Sequence, residues 1–164
     1  MSSRVGHSAT SADFPSAQDA AALVLQARVL AGADGPALRL MSGKRLALLS
    51  PEKADEGANA FVQAATALGA HVSFVQPGLD ARSSASQVDE TARMLGQLYD
   101  AVECQHLPAS LVRRIARSAG IPVFAGLATA EHPTTALAAE LDEDAPLTDR
   151  RRRILQAALL MSVS

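Results

Sequence analysis

The residues best placed to do chemistry lie together at Glu131-His132-Pro133-Thr134-Thr135, just after the apolar run Gly120-Ile121-Pro122-Val123-Phe124-Ala125-Gly126-Leu127. If that run is a strand and a helix opens at the His-Pro-Thr, an imidazole, hydroxyls and free backbone N–H groups meet at one point. Pro suits the first helical position, where its missing N–H is not needed. A helix N-terminus favours anions, and open parallel sheets bind ligands at the carboxyl ends of their strands. The same five residues also describe a Pro-started helix carrying a surface His, so spacing alone leaves both readings open. His132 is the one acid–base candidate here, and nothing pairs with it in sequence.

The elements that must position this stretch follow from hydrophobic spacing. Ala20, Leu23, Val24, Ala27 and Leu30 repeat at helical intervals after a cap at Ser16, with an end in the Gly32–Gly35 region. A connector through Leu38 and a Ser42-Gly43 turn lead to Arg45–Leu49, a short apolar run that reads as a buried strand. Ser50 to Ala58 reads as polar loop or helix start, and Phe61, Ala64, Ala65 and Leu68 form the next helical stripe, stopped at Gly69. His71–Val75 is a second strand, Leu79 to Gln87 a loop, and Val88, Ala92, Leu95 and Leu98 a helix. Ala101–Cys104 is a third strand, Leu111, Val112, Ile115 and Ala116 a third stripe, and Pro122–Phe124 a fourth strand. The spacing therefore predicts an α/β fold: a four-stranded parallel sheet with helices on both faces. A last helix carries Ile154, Leu155, Ala158, Leu159 and Val163 on its apolar side, capped by Thr148 or Asp149.

Composition removes several classes of function. A chain of 164 residues with a formal net charge of −2 has no basic tract suited to nucleic acid. Arg150 to Arg153 reads as a solvated face or an intersubunit contact, since cations at a helix start oppose its dipole. Tyr99 is the single Tyr and Trp is absent, so stacking platforms are not expected. Cys104 is the only cysteine, which excludes an internal disulfide and suits a reducing cytoplasm; its place in an apolar strand marks a structural thiol. His7, His71, His106 and His132 are scattered without paired ligand spacing, so neither a metal nor another cofactor is expected. No run approaches the length of a membrane span, and Met1–Ala12 lacks the apolar core of a signal peptide. Residues 1–15 are expected to form a frayed arm.

A set of motifs then carries a resemblance. Gly43-Lys44-Arg45-Leu46-Ala47-Leu48-Leu49, Leu68-Gly69-Ala70-His71-Val72, Asp89-Glu90-Thr91-Ala92-Arg93-Met94-Leu95-Gly96, Tyr99-Asp100-Ala101-Val102, Gly120-Ile121-Pro122-Val123, Gly126-Leu127 and His132-Pro133-Thr134 occur in that order. Together they resemble the carbamoyl-phosphate domain of ornithine carbamoyltransferases, and more distantly of aspartate carbamoyltransferases, over residues 16–141. The resemblance implies a phosphate-binding Ser-Thr-Arg-Thr-Arg motif opening the helix after the first strand, and a trimer whose active sites borrow residues from neighbours.

The departures from that pattern decide the expected function. Counted without a gap from Gly43-Lys44, the phosphate motif falls on Ala54-Asp55-Glu56-Gly57-Ala58, so two guanidiniums and three hydroxyls give way to two carboxylates and three small residues. The family's arginine after the third strand becomes Gln105, the glutamine lent to a neighbour becomes Ala81, and the residue after His-Pro-Thr is Thr135. Of the ligand-facing set, His132 and Thr134 remain. The resemblance also implies a second, amino-acid-binding domain; here 142–147 reads as a junction after its excision, and 148–164 as the family's C-terminal helix packing back on the first domain. The expected protein has no catalytic residue. It is an ornithine carbamoyltransferase-like pseudoenzyme, a homotrimer or a mixed assembly with a true carbamoyltransferase, acting in amino-acid metabolism without nucleic acid or membrane partners. The alternatives are a binding module in which Asp55, Glu56 and His132 take a cation or amine, and residual transferase activity resting on His132.

Overall fold

A computed structural model describes residues 17–32, 39–142 and 144–163. The arm at 1–15, the Ser16 cap, the 33–38 part of the first connector and Glu143 in the junction lie outside the described residues. The element order is α1 (Ala17–Ala31), β1 (Arg45–Leu49), α2 (Glu56–Ala67), β2 (His71–Val75) and α3 (Ala85–Leu98). Then come β3 (Ala101–Cys104), α4 (Ala109–Ala119), β4 (Val123–Ala125), a 3₁₀ helix (Pro133–Glu140) and α5 (Leu147–Ser162).

The four strands form one parallel sheet in the order β2-β1-β3-β4. Because β1 is central, Leu46 pairs with both Val72 and Ala101, and both faces of the strand are covered. Strand alternation sends Leu46 and Leu48 into a core with α1, α2, the 3₁₀ helix and α5. Ala47 and Leu49 enter the opposite core with α3 and α4. Phe61, Leu68, Leu95 and Ile115 are fully buried from these helices, and each such side chain contributes roughly 1.5–3 kcal/mol. All five apolar positions expected on the last helix are buried, with Val163 one residue past the end of α5, and buried Gln156 donates to the Ala64 carbonyl at 3.2 Å, tying α5 to α2.

A helix does open at Pro133 with His132 as its cap, and it is a 3₁₀ helix: it carries two consecutive threonines, and its last N–H, at Leu141, bonds back three residues to Ala138. Three local expectations are corrected. The loop expected to Gln87 ends at Ser84, because Ser84 and Gln87 form a capping box whose side chains satisfy each other's backbone N–H groups. The fourth strand starts at Val123, as Pro122 offers only its carbonyl, which accepts from Val102 at 3.0 Å. The last helix opens at Leu147 with Pro146 as its cap, so Thr148 and Asp149 lie inside its first turn.

Gly96 on α3 lies against the end of α4, where a Cβ would stand 1.9 Å from the Ala119 carbonyl oxygen. Helix propensity alone favours Gly96→Ala by about 1 kcal/mol, but the clash is with backbone that cannot swing away. We expect Gly96→Ala to destabilise the protein by about 1–3 kcal/mol in urea unfolding, so the sign of the change tests this contact.

Candidate functional site

At the carboxyl edge of the sheet, β1 leads through a polar loop to Asp55, the N-cap of α2. Its extended backbone lets Oδ1 accept from the Ala58 N–H at 3.0 Å, while its carbonyl takes the Asn59 N–H. The other carboxylate oxygen, Oδ2, meets His106 Nε2 at 2.7 Å. The Ala58 hydrogen bond first, and the His106 contact second, hold the Asp55 carboxyl below its ordinary range. His106 reaches this position from a left-handed backbone, φ 60°, the only described non-glycine residue with positive φ. Asp55 is thus satisfied within the chain.

Behind this edge β3 carries a buried polar pair. Glu103 is fully buried; its oxygens accept from Leu127 N–H at 3.0 Å, Ala128 N–H at 2.9 Å and Gln105 Nε2 at 3.0 Å. Loss of hydration outweighs these donors and pushes the Glu103 carboxyl up to about 7. Gln105, 1% exposed, keeps Oε1 without a partner, 3.3 Å from where a Cβ on Gly57 would stand. Burial and the neighbouring Glu103 charge push the Cys104 thiol far up, which removes it as a nucleophile.

Glu103 fixes the loop that carries the His-Pro-Thr residues. Gly126 turns with φ 69°, Thr129 Oγ1 donates to the Gly126 carbonyl at 2.6 Å, and Thr135 Oγ1 donates to the Thr129 carbonyl at 3.1 Å. His132 caps the 3₁₀ helix by accepting the Thr134 N–H on Nδ1 at 3.2 Å, and Nδ1 also lies 3.0 Å from Thr134 Oγ1. With Nδ1 accepting from backbone, a neutral ring carries its proton on Nε2. Burial lowers the His132 pKa, favouring that neutral form.

The expected site residues divide into two groups. Ala54 to Ala58 do open a helix after β1, and Gln105 and Thr129 both border Gly57, so this turn, β3 and the His132 loop converge. Glu56, Gly57, Thr134 and Thr135 line a cleft of about 400 Å³, whereas Asp55 and His132 do not. The far wall is the start of α5, with Arg151 and Arg152. Sequence reasoning missed His106, Glu103 and this wall. The only signal for Glu103 was a charge inside an apolar strand; nothing in sequence placed His106 beside Asp55. Among the described residues no group of three or more His, Cys, Asp or Glu is placed to hold a metal, and no helix is long and apolar enough to cross a membrane.

The family described as aspartate/ornithine carbamoyltransferase, carbamoyl-P binding domain, matches residues 7–142. The chain belongs to that family. The ornithine carbamoyltransferase of Actinobacillus pleuropneumoniae serotype 5b is 38% identical over 98 residues, 60% of this chain and 29% of that protein. That of Cutibacterium acnes is 37% identical over 99 residues, 60% of this chain and 30% of the relative. Among solved structures, the anabolic ornithine carbamoyltransferase of Campylobacter jejuni superposes with a TM-score of 0.60 at 25% identity, covering 75% of this chain and 40% of that one. The Pyrococcus furiosus enzyme shares the fold with a TM-score of 0.61 at 24% identity, over 77% of this chain and 41% of its own. The chain thus spans under a third of the length of these curated relatives.

Glu103 gives this carbamoyltransferase domain a defined pH dependence. Its folded pKa of about 7 lies above the ordinary 4.5, so its contribution is fully present below 4.5 and is lost as pH rises through 7. The size is about 3 kcal/mol. Asp55 acts oppositely and lower: its depressed pKa adds stability above its ordinary 3.8 that is lost at more acid pH. Urea unfolding from pH 4.5 to 7.5 should show stability falling, and Glu103→Gln should flatten that slope; an unchanged slope would assign it to other groups.

Proposed function

We propose that this domain is a carbamoyltransferase-like module without transferase activity, serving as an oligomeric scaffold or regulatory partner in arginine and ornithine metabolism in the cytoplasm. The observation that carries this reading is the Asp55 carboxylate at the start of α2, held at 3.0 Å from the Ala58 N–H and 2.7 Å from His106. By the family resemblance, Ala54–Ala58 occupy the positions of the phosphate motif. An incoming phosphate would there meet Asp55 and Glu56, with no guanidinium in that turn, and would have to displace an internal carboxylate. Each lost charged hydrogen bond costs roughly 1.5–3 kcal/mol, before repulsion is counted. Neutral Gln105 supplies no charge in its place. In that turn the residues present offer a transferring anionic group no electrostatic stabilisation.

Residues 141 to 146 join the 3₁₀ helix to α5, and α5 packs on α1 and α2 of the same domain. In this reading the last helix closes the domain directly, and the preserved surfaces assemble a homotrimer or a mixed oligomer with an active carbamoyltransferase. Calorimetric titration of the full chain with carbamoyl phosphate tests the chemistry, with mass in solution recorded alongside. We expect no binding tighter than ~1 mM, about 4 kcal/mol, and a trimeric mass. A tighter Kd would overturn the non-catalytic reading; a monomer, alone and beside an active carbamoyltransferase, would overturn the scaffold.

A second reading, a small-molecule binding module with an altered ligand, is favoured by one observation: the cleft of about 400 Å³ between α2, the Thr129–Thr135 loop and α5. That volume suits a small metabolite.

A further inference from the structure

Glu103 on β3 and Gln105 just after it are both buried, and they leave one acceptor unfilled. Glu103 Oε2 accepts from Gln105 Nε2 at 3.0 Å and from the Ala128 N–H at 2.9 Å, and Oε1 accepts from the Leu127 N–H at 3.0 Å. Gln105 Oε1 is, among the described residues, the buried side-chain polar atom without a partner. Both ends of that amide lie beside the first turn of α2: Oε1 stands 3.3 Å and Nε2 3.5 Å from where a Cβ on Gly57 would be. The two ends of an amide are nearly equal in shape, so a half-turn of the head changes its hydrogen bonds and hardly its packing. An ionised carboxylate only accepts, whereas a protonated one carries one O–H donor. That donor needs an acceptor. The backbone N–H groups of Leu127 and Ala128 cannot take it, and the unfilled Gln105 Oε1 can.

We propose that Glu103 and Gln105 form a proton-linked amide switch. With Glu103 ionised, the Gln105 NH2 group turns in to Glu103 and Oε1 faces Gly57. With a proton on Glu103 Oε2 the amide turns over: Gln105 Oε1 accepts from the new O–H, and the NH2 group faces Gly57. The bonds from Leu127 and Ala128 persist in both states, so the loop stays anchored while the group presented to the first turn of α2 changes from acceptor to donor. Burial centres the change near neutrality, since it pushes the Glu103 carboxyl up to about 7. In register with Glu103, β1 and β4 place apolar Leu48 and Phe124. The charged and titratable groups on the surrounding elements are Arg45 at the start of β1, Asp55 and Glu56 at the start of α2, His106 after β3, Glu131 and His132 after β4, and residues 149–153 on α5. None of them contributes to the shift, which burial raises and the three donors lower. Cys104, next along the strand, stays a thiol throughout, its pKa pushed far up. The switch is independent of the function proposed above.

The test is an NMR titration of the isotope-labelled full 164-residue chain between about pH 5 and 9. The Glu103 carboxyl carbon should titrate with a midpoint of about 7. Nuclear Overhauser contacts of the Gln105 NH2 protons should move with that midpoint, from the Ala128 N–H at high pH to the Gly57 Cα protons at low pH. Glu103→Gln puts a permanent NH2 donor where the protonated carboxyl has its O–H, so it should hold Gln105 in the low-pH arrangement throughout. Gln105→Met keeps the bulk and removes both ends of the amide. If the amide serves both states, that variant should raise the Glu103 midpoint by less than about half a pH unit; a rise of about one unit or more marks a fixed donor to the ionised form and overturns the switch. NH2 contacts that stay with Ala128 while Glu103 titrates would also overturn it, as would a Glu103 carboxyl that does not titrate in this range. Those two outcomes are read from the unmodified chain and stand even where a variant fails to fold.

Discussion

A carboxylate without water holds the functional edge of this domain in place. Glu103 lies on a central strand with both faces covered, and its two oxygens are filled by two backbone N–H groups of the next loop and one side-chain amide. Removing any donor would leave a buried polar oxygen unsatisfied, so the loop at Leu127 and Ala128 is held in place. The position of Thr129, the cap at His132 and the set of Thr134 and Thr135 follow from that anchor through successive short hydrogen bonds. The same carboxylate turns the Gln105 amide so that its nitrogen is used and its oxygen is left against Gly57. One buried interaction thereby shapes both the loop and the back of the cleft.

The start of α2 solves a different problem. A helix N-terminus exposes N–H groups and positive potential that some anion must satisfy. In this chain Asp55 does so from inside, and His106 Nε2 meets its other oxygen at 2.7 Å from across the sheet edge. An internal carboxylate loses far less entropy on binding than a ligand would, because the chain already holds it there. His106 adopts a left-handed backbone to reach it, a conformation His tolerates better than most residues. The arrangement is complete without any bound molecule.

Much of the fold was legible because it is written in local pattern. Arg45–Leu49, His71–Val75 and Ala101–Cys104 appear at the residues where apolar runs and turn signals placed them, and the helical stripes between them are the buried faces of α2, α3 and α4. Errors fell where short-range chemistry competes with periodicity. The Ser84–Gln87 capping box, with its Ser-x-x-Gln spacing, starts α3 inside what periodicity reads as loop, and Pro146 starts α5 one residue before the expected caps. The site was legible only in part. The convergence of Ala54–Ala58, Gln105 and the His132 loop follows from the strand order β2-β1-β3-β4. The Asp55–His106 pair joins residues 51 positions apart, and periodicity carries no information about which exposed His meets which exposed Asp. The α5 wall of the cleft was invisible for the same reason, since a run of four arginines gives no hint of which of them reach the cleft.

The separation of stability from chemistry explains how such a site can change while its fold persists. The two cores draw on Leu, Ile, Val, Phe and Ala from every element, and neither includes Asp55, Glu56, Gln105 or His132. The carboxylates of Asp55 and Glu56 at the start of α2 therefore set what that edge attracts without carrying the burial that holds the domain together. Glu103 is the exception, a polar group inside the core region, and it acts on backbone rather than on a ligand. The scaffold is held by packing, and the charge pattern is laid over its edge. Here the start of α2 carries two carboxylates, Asp55 and Glu56, and the cleft beside it has Arg151 and Arg152 on its α5 wall.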